Sequence, residues 1–280
     1  MRNIKKNKTP SKEEASQIVE DWLKGTEIHR KWIKTYRTGE NNEFFENAFD
    51  YITRILDAPL NALILDVGCG SCDKSIRLVK RGFLVIGIDI SESVLEIGKK
   101  NIESEGMSAK ITLKCENIRE LSFENQHFDY ILCWGVLMHI PDLEKAISEL
   151  SRVLKPGGFL IISEGNSNAI EIPVVRIMQY LMKRPTISKV TPFGIENWTR
   201  GSDKTLFCRS TNISWLINRL NKEKIVVVSH VAGEFTSSYG LTSSVLIKKI
   251  IHSFNNFWFK FVKLPQPAVG NILIFQKLNE

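Results

Sequence analysis

The sequence has no uninterrupted apolar run of the roughly 18 residues that a membrane-spanning helix needs. Its first fourteen residues, MRNIKKNKTPSKEE, are basic and lack the apolar stretch of a secretory leader. Cysteine is sparse and odd in number: five, at 69, 72, 115, 133 and 208, which supplies no disulfide framework. Cys69 and Cys72 have the spacing of half a zinc site, but no second pair stands at a suitable distance, so no metal is expected. Most of these thiols sit in or beside apolar runs, where they act as small hydrophobes. Together these absences predict a reducing, cytoplasmic setting. At 280 residues the chain is long enough to bury a substantial core.

Charge is unevenly spread. Residues 1–40 carry ten Lys and Arg against six Asp and Glu, and residues 171–280 carry fifteen against six; residues 41–170 carry thirteen against nineteen. An acidic centre followed by a basic final third suits an anionic partner such as a phosphate, a lipid headgroup or nucleic acid, or serves solubility alone.

Apolar spacing divides the chain into three parts: a helical cap over 1–60, a core over 61–165, and a last part over 166–280. In the first, Thr9 or Ser11 is placed to cap a helix through Leu23. Phe45, Ala48, Phe49, Ile52, Ile55 and Leu56 recur at helical spacing over 42–56, and Trp32, Tyr36 and Arg37 form an aromatic, basic stretch between the two. From residue 63 the rhythm alternates strand and helix. Strands are expected at 63–67, 83–88, 111–115, 128–134 and 159–163. Helices are expected at 74–80, at a Ser93–Glu96 capping box, and at 142–154, where Leu143, Ala146, Ile147, Leu150 and Leu154 share one face. Such alternation implies a doubly wound parallel sheet, whose ligands bind at the carboxyl ends of the strands.

The chemistry-bearing residues stand at those ends. Strand 63–67 runs into Asp66-Val67-Gly68-Cys69-Gly70-Ser71-Cys72, where Gly68 and Gly70 permit a tight turn and a helix N-terminus follows. The third glycine of a dinucleotide turn is missing, and Cys72 occupies its approximate place. Asp89 ends the second strand nineteen residues after Gly70, where a carboxylate can accept both hydroxyls of a ribose. These two elements point to an adenosine-containing cofactor.

Five segments decide which one: LILDVGCGSCDKS, VIGIDIS, NIRELSF, FDYILCWGVLMHIPD and LKPGGFLIIS, spanning roughly residues 60–165. In order and spacing they resemble the class I S-adenosylmethionine-dependent methyltransferases, in particular the type 11/25-like small-molecule group. The resemblance implies an α/β, Rossmann-like, seven-stranded sheet with an antiparallel last strand, for which 225–229 and 271–276 are suitable sixth and seventh strands. It implies S-adenosylmethionine as cofactor. By position, Asp66, Gly68 and Gly70 would line its methionine part and Asp89 its ribose, with Ile90 and Ile118 beside the adenine. Asn117 stands where relatives often carry an aspartate for the adenine amine. Trp134 would border the transferable methyl. His139 and Glu164 face the substrate side, His139 either as a base or as a holder of the turn after the fourth strand.

Helical insertions are expected after strands five and six. The first holds an apolar helix over 170–182, then Lys183-Arg184-Pro185, an aromatic and polar loop over 192–200, and a helix over 212–220; the second is centred on 245–264. They read either as a substrate lid with peripheral membrane contact or as packing that enlarges the core. The resulting expectation is an enzyme that methylates a small-molecule acceptor at oxygen or nitrogen, a glycan or lipid precursor being one class. A nucleic-acid-modifying or RNA-binding protein is the alternative that the basic final third suggests. It lacks the Asn/Asp-Pro-Pro-Tyr element of nucleic-acid amino-methyltransferases, where this chain reads Cys133-Trp134-Gly135-Val136. An NAD(P)-dependent reductase is a third reading, and a non-catalytic cofactor-binding subunit a fourth.

Overall fold

A computed structural model describes residues 12–36, 39–181, 186–200 and 205–279. Thr9, Ser11, Arg37 and the run Lys183-Arg184-Pro185 lie outside the described residues. Helices α1 (Lys12–Leu23), α2 (Thr26–Tyr36) and α3 (Gly39–Leu56) precede the sheet. The core then alternates β1 (Leu63–Val67), α4 (Asp73–Lys80), β2 (Leu84–Asp89), α5 (Glu92–Ser104), β3 (Ile111–Cys115), β4 (Phe128–Trp134), α6 (Leu143–Val153) and β5 (Leu154–Gly165). After it come α7 (Ile172–Leu181), β6 (Thr186–Thr191), β7 (Gly194–Arg200), β8 (Thr205–Thr211), α8 (Ile213–Lys222), β9 (Ile225–Ala232), α9 (Val245–Phe257) and β10 (Gly270–Lys277).

Seven strands form one sheet in the order β3-β2-β1-β4-β5-β10-β9. Neighbours from β3 to β5 pair in parallel, and β10 runs antiparallel to both β5 and β9. This is the Rossmann-like sheet with an antiparallel last strand that the sequence predicts. Because side chains alternate along a strand, each central strand feeds two cores. Ile64, Leu132, Ile161 and Ile274 pack with Phe49 and Ile52 of α3 and with Ile76 and Leu78 of α4. Leu65, Cys133, Ile162 and Phe275 pack on the other face with Ala146, Ile147 and Leu150 of α6 and Leu216 and Leu220 of α8. Strand order reverses between β1 and β4, so the crevice beyond their carboxyl ends is the ligand position that the topology dictates.

Two local expectations change. Helix α5 begins at Glu92, with Ser91 rather than Ser93 at its N-cap; the Ser91 hydroxyl lies 3.0 Å from that of Ser93 and 3.3 Å from the Lys24 carbonyl. The stretch 192–200 is not a loop. It supplies β7, the centre of a three-stranded antiparallel sheet β6-β7-β8. Its alternation is masked in sequence because a small sheet covering a site buries only some residues, among them Ile195 and Phe207.

That small sheet is tied to the core by Arg209 of β8, whose side chain is fully buried. Its guanidinium donates to the carbonyls of Leu137 (3.3 Å), Ile140 (2.9 Å) and Pro141 (3.3 Å), and to Glu196 Oε1 at 3.0 Å. One cation thereby satisfies the turn after β4 and pairs with its own sheet. Arg209→Leu is expected to lower stability by about 3–5 kcal/mol, since it strands three carbonyls and a carboxylate. A urea midpoint unchanged from wild type would show that Arg209 does not fasten the sheet.

Candidate functional site

The turn after β1 uses the left-handed backbone region three times, at Gly68 (φ 65°), Gly70 (φ 55°) and Cys72 (φ 66°). A side chain at Gly68 would meet Val136 Cγ2 at 2.4 Å, whereas nothing lies within 4 Å of a Cβ placed at Gly70. The space before Gly70 is therefore open to a ligand. Cys72 takes the conformation of the missing third glycine, and its thiol fills the gap left by Gly98 of α5, where an added Cβ would lie 2.5 Å from the sulfur. The departure from the glycine pattern is offset by a glycine on the facing helix.

Asp89, at the end of β2, closes this turn. Its Oδ2 accepts the Gly70 N–H and its Oδ1 the Ser91 N–H, each at 3.0 Å. Burial pushes its pKa upward, and those backbone donors together with nearby His29 hold it down in part. The Ile90 N–H acts on the same carboxylate, whose four acceptor directions exceed these three donors. Asp66 lies deeper, takes the Ser75 hydroxyl at 2.6 Å, and is raised by burial to about 6.

A cleft of about 720 Å³, open solvent at its mouth included, lies against this turn. The sheet side contributes Gly68, Asp89, Ile90, Asn117 and Ile118, and the segment after β4 contributes Gly135, Val136 and His139. Helices α1 and α2 cover it with Ser16, Val19, Glu20, Leu23, His29 and Trp32. Of the expected cofactor residues, the cleft thus brings together Gly68, Asp89, Ile90, Asn117 and Ile118, with Gly70 joined to them through Asp89. Trp134 is not brought in. It alternates onto the α3 face, where its ring stacks on Phe49 at 5.6 Å and meets Phe45 at 5.7 Å.

Asn117 is engaged on both sides of its amide. Its Nδ2 donates to Glu20 Oε1 at 2.9 Å, and its Oδ1 accepts the Arg119 N–H at 3.0 Å. Arg119 also ion-pairs with Glu20. The carboxylate absent from position 117 is thus delivered by α1. Glu20, His29, Trp32 and Arg209 escape a reading by motif. Ser16, Val19, Glu20 and Leu23 do share the i, i+3, i+4, i+7 spacing of one helix face, the one sequence signal that marks Glu20.

His139 stacks on Trp32 (4.9 Å, 29° between planes), and its Nδ1–H donates to the Phe207 carbonyl at 3.2 Å. Burial lowers its pKa to about 4, so the ring is neutral and Nε2 is left as an acceptor. It therefore both lines the cleft and holds the small sheet. Glu164 does not line the cleft. It ends β5 just beyond Ser163, the partner of Trp134, and is almost fully buried. The Thr211 hydroxyl donates to its Oε2 at 3.3 Å, while Oε1 has no hydrogen-bond partner. Burial raises it to about 7, opposed by the amides of Met138 and Leu137, Thr211 and the charge of Arg209.

Known proteins share this core. A family described as Methyltransferase domain matches residues 64–158. A ubiquinone biosynthesis O-methyltransferase of Coxiella burnetii is 38% identical over 105 residues, 38% of this chain and 44% of the relative. A demethylmenaquinone methyltransferase of Bacillus cereus is 37% identical over 114 residues, 40% of this chain and 48% of the relative. The chain thus spans less than half the length of these relatives. Among solved structures, a magnesium protoporphyrin IX methyltransferase of Synechocystis with bound SAH aligns with a TM-score of 0.59 at 18% identity, covering 94% of this chain and 99% of that one. A SAM-dependent methyltransferase of Methanosarcina mazei aligns at 0.57 and 23%, covering 81% and 98%. These two share the fold.

The raised pKa of Glu164 carries a stability signature. Between about 4.5 and 7 the folded carboxyl keeps a proton that the unfolded chain has released, so its contribution falls as pH rises through that window. His139, lowered to about 4 from 6.5, acts with the opposite sign between those values, so the variant must be compared with wild type at each pH. Glu164→Gln is expected to gain on wild type with rising pH, by on the order of 1–3 kcal/mol. Urea titrations near pH 5 and pH 8 measure it, and a pH-independent difference would refute a buried acid at this position.

Proposed function

We propose that this chain, whose residues 64–158 are a class I S-adenosylmethionine-dependent methyltransferase domain, methylates a small-molecule acceptor in the cleft beyond β1 and β4. The observation that carries the reading is the turn clasped to Asp89, which leaves open space before Gly70 and a carboxylate with acceptor capacity beyond its backbone donors. Those residues fit an adenosine-containing cofactor. Asp89 would take the ribose hydroxyls, Gly68 and Gly70 the approach of the methionine part, and Ile90 and Ile118 the faces of the adenine. Asn117 and Glu20 would meet its polar edge, while Asp66 lies deeper, bonded to Ser75. The bound cofactor supplies a methyl group made electrophilic by its sulfonium.

The remaining work belongs to the chain's own residues and is mostly orientation, which is worth roughly 7–11 kcal/mol of barrier in well-aligned reactions. Helices α1 and α2 exclude water from the cleft. Trp32 and His139 form an aromatic wall, and the Nε2 of His139 is the acceptor best placed for a substrate hydroxyl or amine. Glu164 sits behind the same turn without lining the cleft, so no substrate contact is assigned to it. The relatives are named for ubiquinone biosynthesis and for demethylmenaquinone, and an apolar ring compound is the acceptor class that this wall favours. No described helix is long and apolar enough to cross a membrane, and a cytoplasmic setting is the one we propose.

Calorimetry with S-adenosylmethionine and, separately, with NADH tests the cofactor. Binding of the former is expected, with Asp89→Ala weakening it by about 1–3 kcal/mol, the loss typical of a hydrogen bond to a charged group. Tight NADH binding without S-adenosylmethionine binding would overturn the reading.

A further inference from the structure

Helix α9 is built inside out. A helix on a soluble protein turns its apolar stripe to the core and its polar face to water. In α9 the buried residues are His252, Asn255 and Asn256. His252 packs on the Tyr239 ring at 4.5 Å. Asn255 accepts the Thr236 N–H and donates to its carbonyl, each at 3.0 Å, and Asn256 Oδ1 accepts from Asn47 Nδ2 at 2.8 Å. The apolar side chains point away. Leu246 (69% exposed), Ile250, Phe254 and Phe257 run along the outer face, and Phe261 (73%) extends it through the wide π-helical turn Trp258–Val262.

A second outward stripe stands beside it. In α7, Val174, Ile177, Met178 and Leu181 recur at i, i+3, i+4 and i+7, and all are exposed. The base of α7 is fastened to the segment leading into α9: Glu171 accepts from the hydroxyls of Thr236 and Ser237, and the Ile170 N–H donates to the Pro267 carbonyl. Helices α7 and α9 thus both carry exposed apolar residues, and the residues just before α7 are bonded to the segments that flank α9. An exposed apolar area of this kind marks contact with another apolar phase.

Charge identifies the phase. Residues 241–264 contain four lysines (Lys248, Lys249, Lys260 and Lys263) and no aspartate or glutamate. Lys260 pairs with Glu43 at 2.8 Å, and Lys263 lies over the Tyr51 ring, which leaves Lys248 and Lys249 on α9 as the cations of the patch. A second copy docking through the same patch would bring these like charges together. An anionic lipid surface would attract them while accepting the phenylalanines among its acyl chains. We infer that α9, its π-helical turn and α7 form a docking face for an anionic membrane surface, into which the helices lie without crossing.

The inference stands apart from the methyltransferase reading, since vesicle binding neither requires nor reports methyl transfer. Cosedimentation with vesicles of phosphatidylcholine, alone and mixed with phosphatidylglycerol, provides the test. Wild type is expected to bind the mixed vesicles. The pair Lys248→Glu/Lys249→Glu is expected to weaken that binding by at least about tenfold. The triple variant Leu246→Glu/Ile250→Glu/Phe257→Glu, which alters only exposed side chains, is expected to abolish it with unchanged circular dichroism. Absence of wild-type binding to the mixed vesicles would overturn the inference. So would sedimentation velocity showing a dimer that the triple variant dissolves, because the face would then belong to a second copy.

Discussion

Asp89 takes the Gly70 N–H on one oxygen and the Ser91 N–H on the other, and so ties the turn after β1 to the start of α5 across the end of β2. A buried carboxylate that desolvation disfavours is held where it is because both of its neighbours are backbone donors with no freedom to leave. The turn it steadies passes through three left-handed residues, and it is packed from behind by the meeting of Cys72 and Gly98. The open space before Gly70, the exit of Ile90 and the adjacent Asn117 all take their positions from this clasp. Removing it would unfasten one wall of the cleft.

The other walls are brought from elsewhere in the chain. Helix α1 reaches the cleft by seating Glu20 on Asn117 and Arg119, and α2 follows by stacking Trp32 on His139. The small sheet β6-β7-β8 grips the segment after β4 through Arg209 and through the Phe207 carbonyl that receives His139. His139 is therefore a neutral ring shared by three elements, and Glu164 is an acid kept near neutral pKa under the same turn. Helix α9 turns His252, Asn255 and Asn256 inward and its apolar side chains outward. The molecule thus has a cleft walled in part by Trp32 and His139 and a greasy face with a cationic edge.

The parallel part of the sheet was legible because strands buried on both faces are mostly apolar, as 63–67, 128–134 and 159–163 are; its seven strands and antiparallel last strand came from the family resemblance. Gly68, Gly70 and Asp89 were legible because a tight turn and a carboxylate at a strand end are local requirements. Trp134 was misplaced by its position in the motif: alternation along β4 aims its ring at Phe49, a fact that requires knowing which face each strand residue takes. The 192–200 segment hid its strand because its partners, β6 and β8, are themselves polar.

What the sequence determined by itself is therefore the core: the order of strands and helices, the glycine turn and the carboxylate at the end of β2, all set by interactions between near neighbours or by burial on both faces. What only the tertiary structure decided is what closes over that core. Glu20 lies 97 residues from Asn117 and Arg209 lies 69 from Ile140, and no local pattern records such pairs. The reversal of α9 was likewise invisible, since amphipathic spacing shows that a helix has two faces without showing which one meets the protein. That choice was made by Asn255 and Asn256, whose amides find Thr236 and Asn47 only once the chain has folded.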